Sequence, residues 1–334
     1  MWARVVWVGL GVCIVALAVH AVSEIGGKRV HDLLDNWISN GAELVAALMC
    51  FVGASRKEQR RARAIWACFG LAMVMWFIGD VLWSLNGDHT TLTSVSDIFW
   101  LAWYPLVLTG LAFLVRARVP RFEFHRWIDG VVVMLLIATP WIAVFLEPAA
   151  DRSGASLLAD AIDFAYPLLD AVVLGAVIGP MALTAWRPGR MWLLLAVGFT
   201  ALSVADAVYS LDALARGYTS ETGFDALWLL GITLVAYCAW LPRPDRLPEV
   251  ELVGWRAVAL PVLAQLVAIA IQVYGLFNYV PVGERIITIV VLLIATIQII
   301  GTRPRAGPPP ESRAETPRAD ARAETPRAEG GESP

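Results

Sequence analysis

Long runs without a single charged side chain constrain this chain more than any other feature. They cover residues 64–79, 98–115, 130–146, 171–186, 191–205, 226–242, 257–283 and 286–302. Most approach the ~17–25 residues that carry a helix across a bilayer. Residues 5–23 form a further run interrupted only by His20, and residues 37–54 another with Glu43 near its start. Hydrocarbon offers the backbone no hydrogen-bond partner, so a crossing segment must satisfy its own amides, as a helix does. The expectation is an all-α, polytopic integral membrane bundle of about ten transmembrane helices over residues 1–302. Only 16% of the chain is charged, against about a quarter in soluble domains.

Arginine and lysine set the expected orientation. They crowd the connections "SRKEQRRAR" (55–63) and "RARVPRFEFHR" (116–126), then Arg187 and Arg190, then Arg243, Arg246 and Arg256. These are alternate loops, so they share the cytoplasmic side of a plasma membrane, and both termini join them. Trp37, Trp127, Trp186, Trp192 and Trp240 stand at span ends, where indoles anchor at the interface. Arg4 before an apolar run imitates a secretory leader, but that run exceeds the ~7–15 residues of a leader core. An uncleaved anchor is expected.

Cys13, Cys50, Cys68 and Cys238 all fall within expected spans, where a thiol serves as a small apolar packing group. His20, His31, His89 and His125 show no metal-ligand spacing. No metal or cofactor is expected, and nothing suggests nucleic-acid binding. After Thr302 the chain turns to Arg, Glu, Pro and Ala, with "RAETPRA" at 313–319 and again at 322–328. Such a segment buries too little to offset its chain entropy. Residues 303–334 are expected to form a disordered cytoplasmic tail.

The sequence also repeats itself. Asp80-x-x-Trp83-Ser84-Leu85 matches Asp206-x-x-Tyr209-Ser210-Leu211, and Asp97-x-x-Trp100-Leu101 matches Asp225-x-x-Trp228-Leu229. Gly70 pairs with Gly198 and Trp127 with Trp255 at similar offsets. Two parallel units follow, at about 64–185 (spans 3–6) and 191–302 (spans 7–10), related by an axis near the membrane normal.

The acids gather toward the outer face. Asp97, Asp160 and Asp225 open helices, where a carboxylate caps free amides and meets the positive dipole end. Asp163 lies beside Asp160. Asp80 and Asp206 lie near helix C-terminal ends, which disfavour an anion, so capping does not account for them. Intramembrane acids of this kind face the bundle interior and are functional candidates, although a structural role is open as well. An aromatic follows each acid by three residues and so shares its helix face. Asp80/Trp83, Asp97/Trp100, Asp206/Tyr209 and Asp225/Trp228 are expected to line one acidic, aromatic pocket, with Asp170 deeper in span six. Asp170 has no acidic counterpart 128 residues on, where Gln298 stands.

"GDVLWSL", "DIFWLAWYPLVLTGLAFLVR", "YPLLDAVVLGAV" and "ADAVYSLDALARGYTSETGFDALWLLGITLVAYCAWLP" together resemble the multi-span N-terminal membrane region of actinobacterial signalling proteins. There it precedes GGDEF-type diguanylate cyclase and EAL-type phosphodiesterase domains. The resemblance implies a sensory input module, and neither catalytic sequence occurs in these residues. The leading expectation is a non-enzymatic membrane sensor. It would bind a small ligand, cation or proton outside and act through a cytoplasmic signalling protein or a second copy of the chain. The alternative is a proton- or cation-coupled transporter. Acids without a nucleophile or metal constellation specify no reaction.

Overall fold

The computed structural model describes residues 1–23, 30, 32–86, 94–118, 135, 157–183, 189–216, 224–242, 255–277 and 282–301. Among them the chain is helical, without strands. The elements are α1 (Trp2–Ser23), a π-helical turn (Asp32–Ile38), α2 (Ser39–Ser55), α3 (Arg60–Asn86), α4 (Val95–Arg118), α5 (Leu157–Leu183), α6 (Gly189–Arg216), α7 (Ala226–Cys238), α8 (Trp255–Tyr274) and α9 (Val282–Gly301). The crossing expected at 130–146, apart from residue 135, and the tail at 303–334 lie outside the described residues.

Five segments are long and apolar enough to cross a membrane: Trp2–Ala21, Asn36–Ser55, Arg60–Leu85, Val95–Ala117 and Gly189–Ser210. Shorter apolar stretches occupy Ala165–Met181, Ala226–Cys238, Val262–Tyr274 and Arg285–Ile300. Their outward faces are apolar too. Val5, Val8, Val12, Val15 and Val19 form an exposed stripe along α1, a surface suited to hydrocarbon rather than water. The chain is a helical membrane protein.

Lipid gives helices no hydrophobic reason to associate, so small residues and close approach must hold them. The α2 face carries Ala42, Ala46, Ala47 and Ala54, all buried, against α7 with Ala236 and Ala239. A Cβ on Gly53 would stand 2.7 Å from Ala239 Cβ, and one on Gly231 would stand 2.6 Å from the Gly198 carbonyl oxygen. Helices that close leave no room for larger side chains. The α8–α9 hairpin holds its own small core of Ala264, Ala268, Val291 and Ala295. Side-chain bonds from Gln265 to Thr296 (2.7 Å) and from Gln272 to Thr288 (2.5 Å) reinforce it.

Burial follows matching patterns in two stretches of the chain, in finer register than the sequence alone gives. In α2, Ala46, Ala47, Cys50 and Ala54 are buried, and so are Val173, Leu174, Val177 and Met181 of α5, each 127 positions on. In α3, Ile65, Trp66, Phe69, Met73 and Trp76 match Met191, Trp192, Leu195, Phe199 and Leu202 of α6 at an offset of 126. Tyr104 and Val107 of α4 match Ile232 and Val235 of α7 at 128. Cutting the repeat one helix before residue 64 therefore gives the units α2–α3–α4 and α5–α6–α7. The pairing of Gly70 with Gly198 is corrected by this register, which sets Ala72 opposite Gly198 along an uninterrupted helix. Trp127 lies outside the described residues.

The two units pack reciprocally: α2 on α7, and α4 on α5. Rings of Phe69, Trp103 and Phe199 meet between them, with centroids 6.1–6.3 Å apart. Asp97 meets Tyr166 while Tyr104 meets Asp170, so residue numbers rise together and α4 and α5 run parallel. At the opposite end Trp2, Trp7, Tyr237 and Trp240 form an edge-to-face cluster, with the Arg56 guanidinium 4.9 Å from the Trp240 ring centroid. Trp240 Nε1 donates to the Met49 carbonyl at 2.8 Å. This is an interfacial anchor of the expected kind. Trp192 is not one: it is 1% exposed, because it takes in the second unit the core place that Trp66 holds in the first.

Candidate functional site

Asp80 and Asp206 sit one helical unit apart in chemistry as well as in sequence. α3 and α4 form an antiparallel hairpin that carries Trp100 across from Asp80, and Trp100 Nε1 donates to Asp80 Oδ1 at 2.7 Å. α6 and α7 repeat this, with Trp228 Nε1 donating to Asp206 Oδ1 at 2.7 Å. A second aromatic braces each indole. Trp83 lies 5.7 Å from Trp100, and Tyr209 lies 5.9 Å from Trp228, centroid to centroid. An indole N–H aimed at a carboxylate offsets part of the cost of burying it. On the α3 side the close approach requires a missing side chain, since a Cβ on Gly79 would stand 2.5 Å from Trp100 Nε1.

Each aspartate has a second carboxyl beside it. Glu43 of α2 is in hydrogen-bond range of Asp80, and Asp170 of α5 is in hydrogen-bond range of Asp206. Glu43 is 2% exposed and Asp170 3%. The counterpart of Asp170 is therefore Glu43, 127 positions earlier. Both units contribute a carboxyl pair and an indole clamp, and Asp206 lies within Coulombic reach of Asp80.

The centres differ in how they are completed. Tyr104 Oη donates to Asp170 Oδ1 at 3.0 Å from the neighbouring unit. Beside it, Tyr166 Oη donates to Asp97 Oδ1 at 2.7 Å. Glu43 has no such help. Its Oε2 is buried without a hydrogen-bond partner, and Trp76 Nε1 faces both Glu43 and Asp80. Asn40, one turn from Glu43, donates to Ser84 Oγ at 3.2 Å, and the Ser84 hydroxyl bonds to the Asp80 carbonyl at 2.8 Å. Asn36 Oδ1, 3.2 Å from the same hydroxyl, belongs to the π-helical turn. Such turns often accompany functional positions.

Among the described residues the four expected acid–aromatic pairs are exchanged between neighbouring helices. Asp80 and Asp206 go to the two centres, each with the aromatic of the adjacent helix. The pairing of Asp97 with Trp100 is replaced by Asp80 with Trp100, because helices in a hairpin aim these side chains at each other. Asp97 does close the α4 start, accepting from the Ser94 amide at 2.7 Å, and it also receives the Tyr166 hydroxyl. Asp225 occupies the N-cap position of α7 without a side-chain capping bond, which corrects its expected role. The side chains of Asp160 and Asp163 lie outside the described residues. Glu43, Trp76, Tyr104 and Tyr166 are members that the acid–aromatic spacing missed. Glu43 carried one available signal: it is the sole charge in its run.

The thiols pack. Cys50 Sγ donates to the Trp66 carbonyl at 3.3 Å, and Cys238 Sγ to the Met191 carbonyl at 3.6 Å. Among the described residues no group of three or more His, Cys, Asp or Glu is placed to hold a metal ion. Comparison of the chain with protein-family models, with curated proteins and with solved structures found no match.

Proposed function

We propose that this chain is a non-enzymatic plasma-membrane sensor. A proton or small cation arriving from the extracytoplasmic side changes the state of a carboxyl pair, and a partner reads that change. One observation carries the proposal: two carboxyl pairs, each joining a buried acid to a half-buried aspartate clamped by an indole, set where two like units meet. A buried pair of acids is costly until a positive charge joins it, so its occupancy biases how the units pack. Both termini in the cytoplasm and ten crossings complete the picture. The parallel course of α4 and α5 supports the count, because a charge-free run at 130–146 lies between two ends that need joining. The likeness to cyclase-linked input regions supports a signalling role.

Proximity labelling in cells tests this. The set of proteins labelled by the wild-type chain should change when external pH or cation changes, and Asp80→Asn should freeze it. Identical sets in all conditions would refute the sensor. A second reading, coupled transport, gains from the matched carboxyl pairs, since parallel repeats with central ion sites occur in transporters. Saturable cation flux into proteoliposomes, lost in Asp80→Asn, would install that reading instead.

A further inference from the structure

We infer that the Glu43–Asp80 pair is a binding site for one small monovalent cation, hydronium or an alkali metal ion, and that Asp170–Asp206 is its closed structural copy. This deepens the sensor reading by naming which centre takes the charge. The two centres share the clamp and the carboxyl pair and differ in one donor. α4 delivers the Tyr104 hydroxyl to Asp170. The matching position on α7, 128 residues on, is Ile232, which has nothing to donate. Glu43 Oε2 is buried without a hydrogen-bond partner. A buried acceptor without a partner is rare and costly, and an absent ligand is one of its few explanations.

The remaining groups fit a small ion that carries water. Trp100 already occupies Asp80 Oδ1. Trp76 Nε1, which faces both carboxyls, offers a donor to the oxygen of the ion's water. Among the described residues no third acid joins the pair. Asn40, Ser84 and Asn36 line a polar route from the pair to the π-helical turn at the expected outer end.

Among the described residues the ionisable groups on elements packed against the pair are Asp97, Tyr104, Arg116 and Arg118 of α4, Tyr237 and Cys238 of α7, and Arg4, Cys13 and His20 of α1. Asp206 acts on Asp80 from α6. Arg60, Arg61 and Arg63 stand at the far end of α3.

Intrinsic tryptophan fluorescence of the full chain in lipid nanodiscs provides the test, since Trp76 and Trp100 border the pair. One arm titrates lithium, sodium or potassium chloride at fixed pH and ionic strength. The other titrates pH without alkali ions. The wild type should show a saturable transition in one arm, which names the ion. Glu43→Gln should shift its midpoint by about tenfold or more, about 1.4 kcal/mol, or abolish it. Ile232→Tyr, which supplies the missing hydroxyl, should abolish it too. Tyr104→Phe and Asp170→Asn should retain it. If Ile232→Tyr fails to fold, the near-isosteric Glu43→Gln decides alone. No transition in either arm, one unmoved by Glu43→Gln, or one lost in Asp170→Asn would overturn the assignment. The readout needs no partner. Ion binding with no change in labelled proteins would refute the sensor and leave this site standing.

Discussion

Trp100 and Trp228 are the residues whose removal speaks most directly about the clamps. Each makes one 2.7 Å bond to a half-buried aspartate. Replacing either by Phe should cost about 1–3 kcal/mol, because the carboxylate loses its donor. The two losses should be alike, as measured by unfolding in mild detergent. Asp80→Asn keeps an acceptor for Trp100 and should leave stability nearly unchanged, whereas Asp80→Leu should cost a similar ~1–3 kcal/mol by stranding the indole. Asp80 could be singled out from the sequence because one charge in an apolar run has no inexpensive explanation. Its partner could not. Spacing within a helix points to Trp83, whereas the bond runs to Trp100 on the next helix, and only the hairpin's rotation decides which indole edge faces inward.

Helix against helix, the contacts rest on glycine and alanine. Gly231→Ala would place a methyl 2.5 Å from Leu202 Cγ and 2.6 Å from the Gly198 carbonyl. It should cost about 1–3 kcal/mol by forcing α6 and α7 apart. Gly41→Ala meets nothing within 4 Å and should be neutral or stabilise by up to about 1 kcal/mol through helix propensity. Thermal unfolding of both variants in the same detergent separates packing from propensity. The existence and approximate limits of these helices followed from charge-free runs alone. Their register did not. The three helix pairs carry offsets of 127, 126 and 128, since the connecting segments differ in length between copies. Glu43 and Asp170 become visible as mates only once burial fixes each helix separately.

For the molecule as a whole, topology is the most exposed prediction. Reporter fusions at residue 58 and beyond residue 310 should both report cytoplasm, and an extracytoplasmic signal at 58 would invert the bundle and move the carboxyl centres to the inner leaflet. The reciprocal packing, α2 on α7 and α4 on α5, has a bearing on history too. Two like subunits related by a two-fold axis make such an isologous contact, so the fold has the geometry of an ancestral homodimer joined into one chain. If each unit crosses three times, it begins and ends on opposite sides of the membrane. Tandem fusion of two such subunits in the same orientation demands a linker that itself traverses the bilayer, and the sequence between α4 and α5 carries a run of the right length at 130–146. Once fused, the halves no longer had to be identical. Position 104 and its counterpart at 232 differ, one a tyrosine and the other an isoleucine, so two carboxyl pairs built on the same clamp are closed by different neighbours.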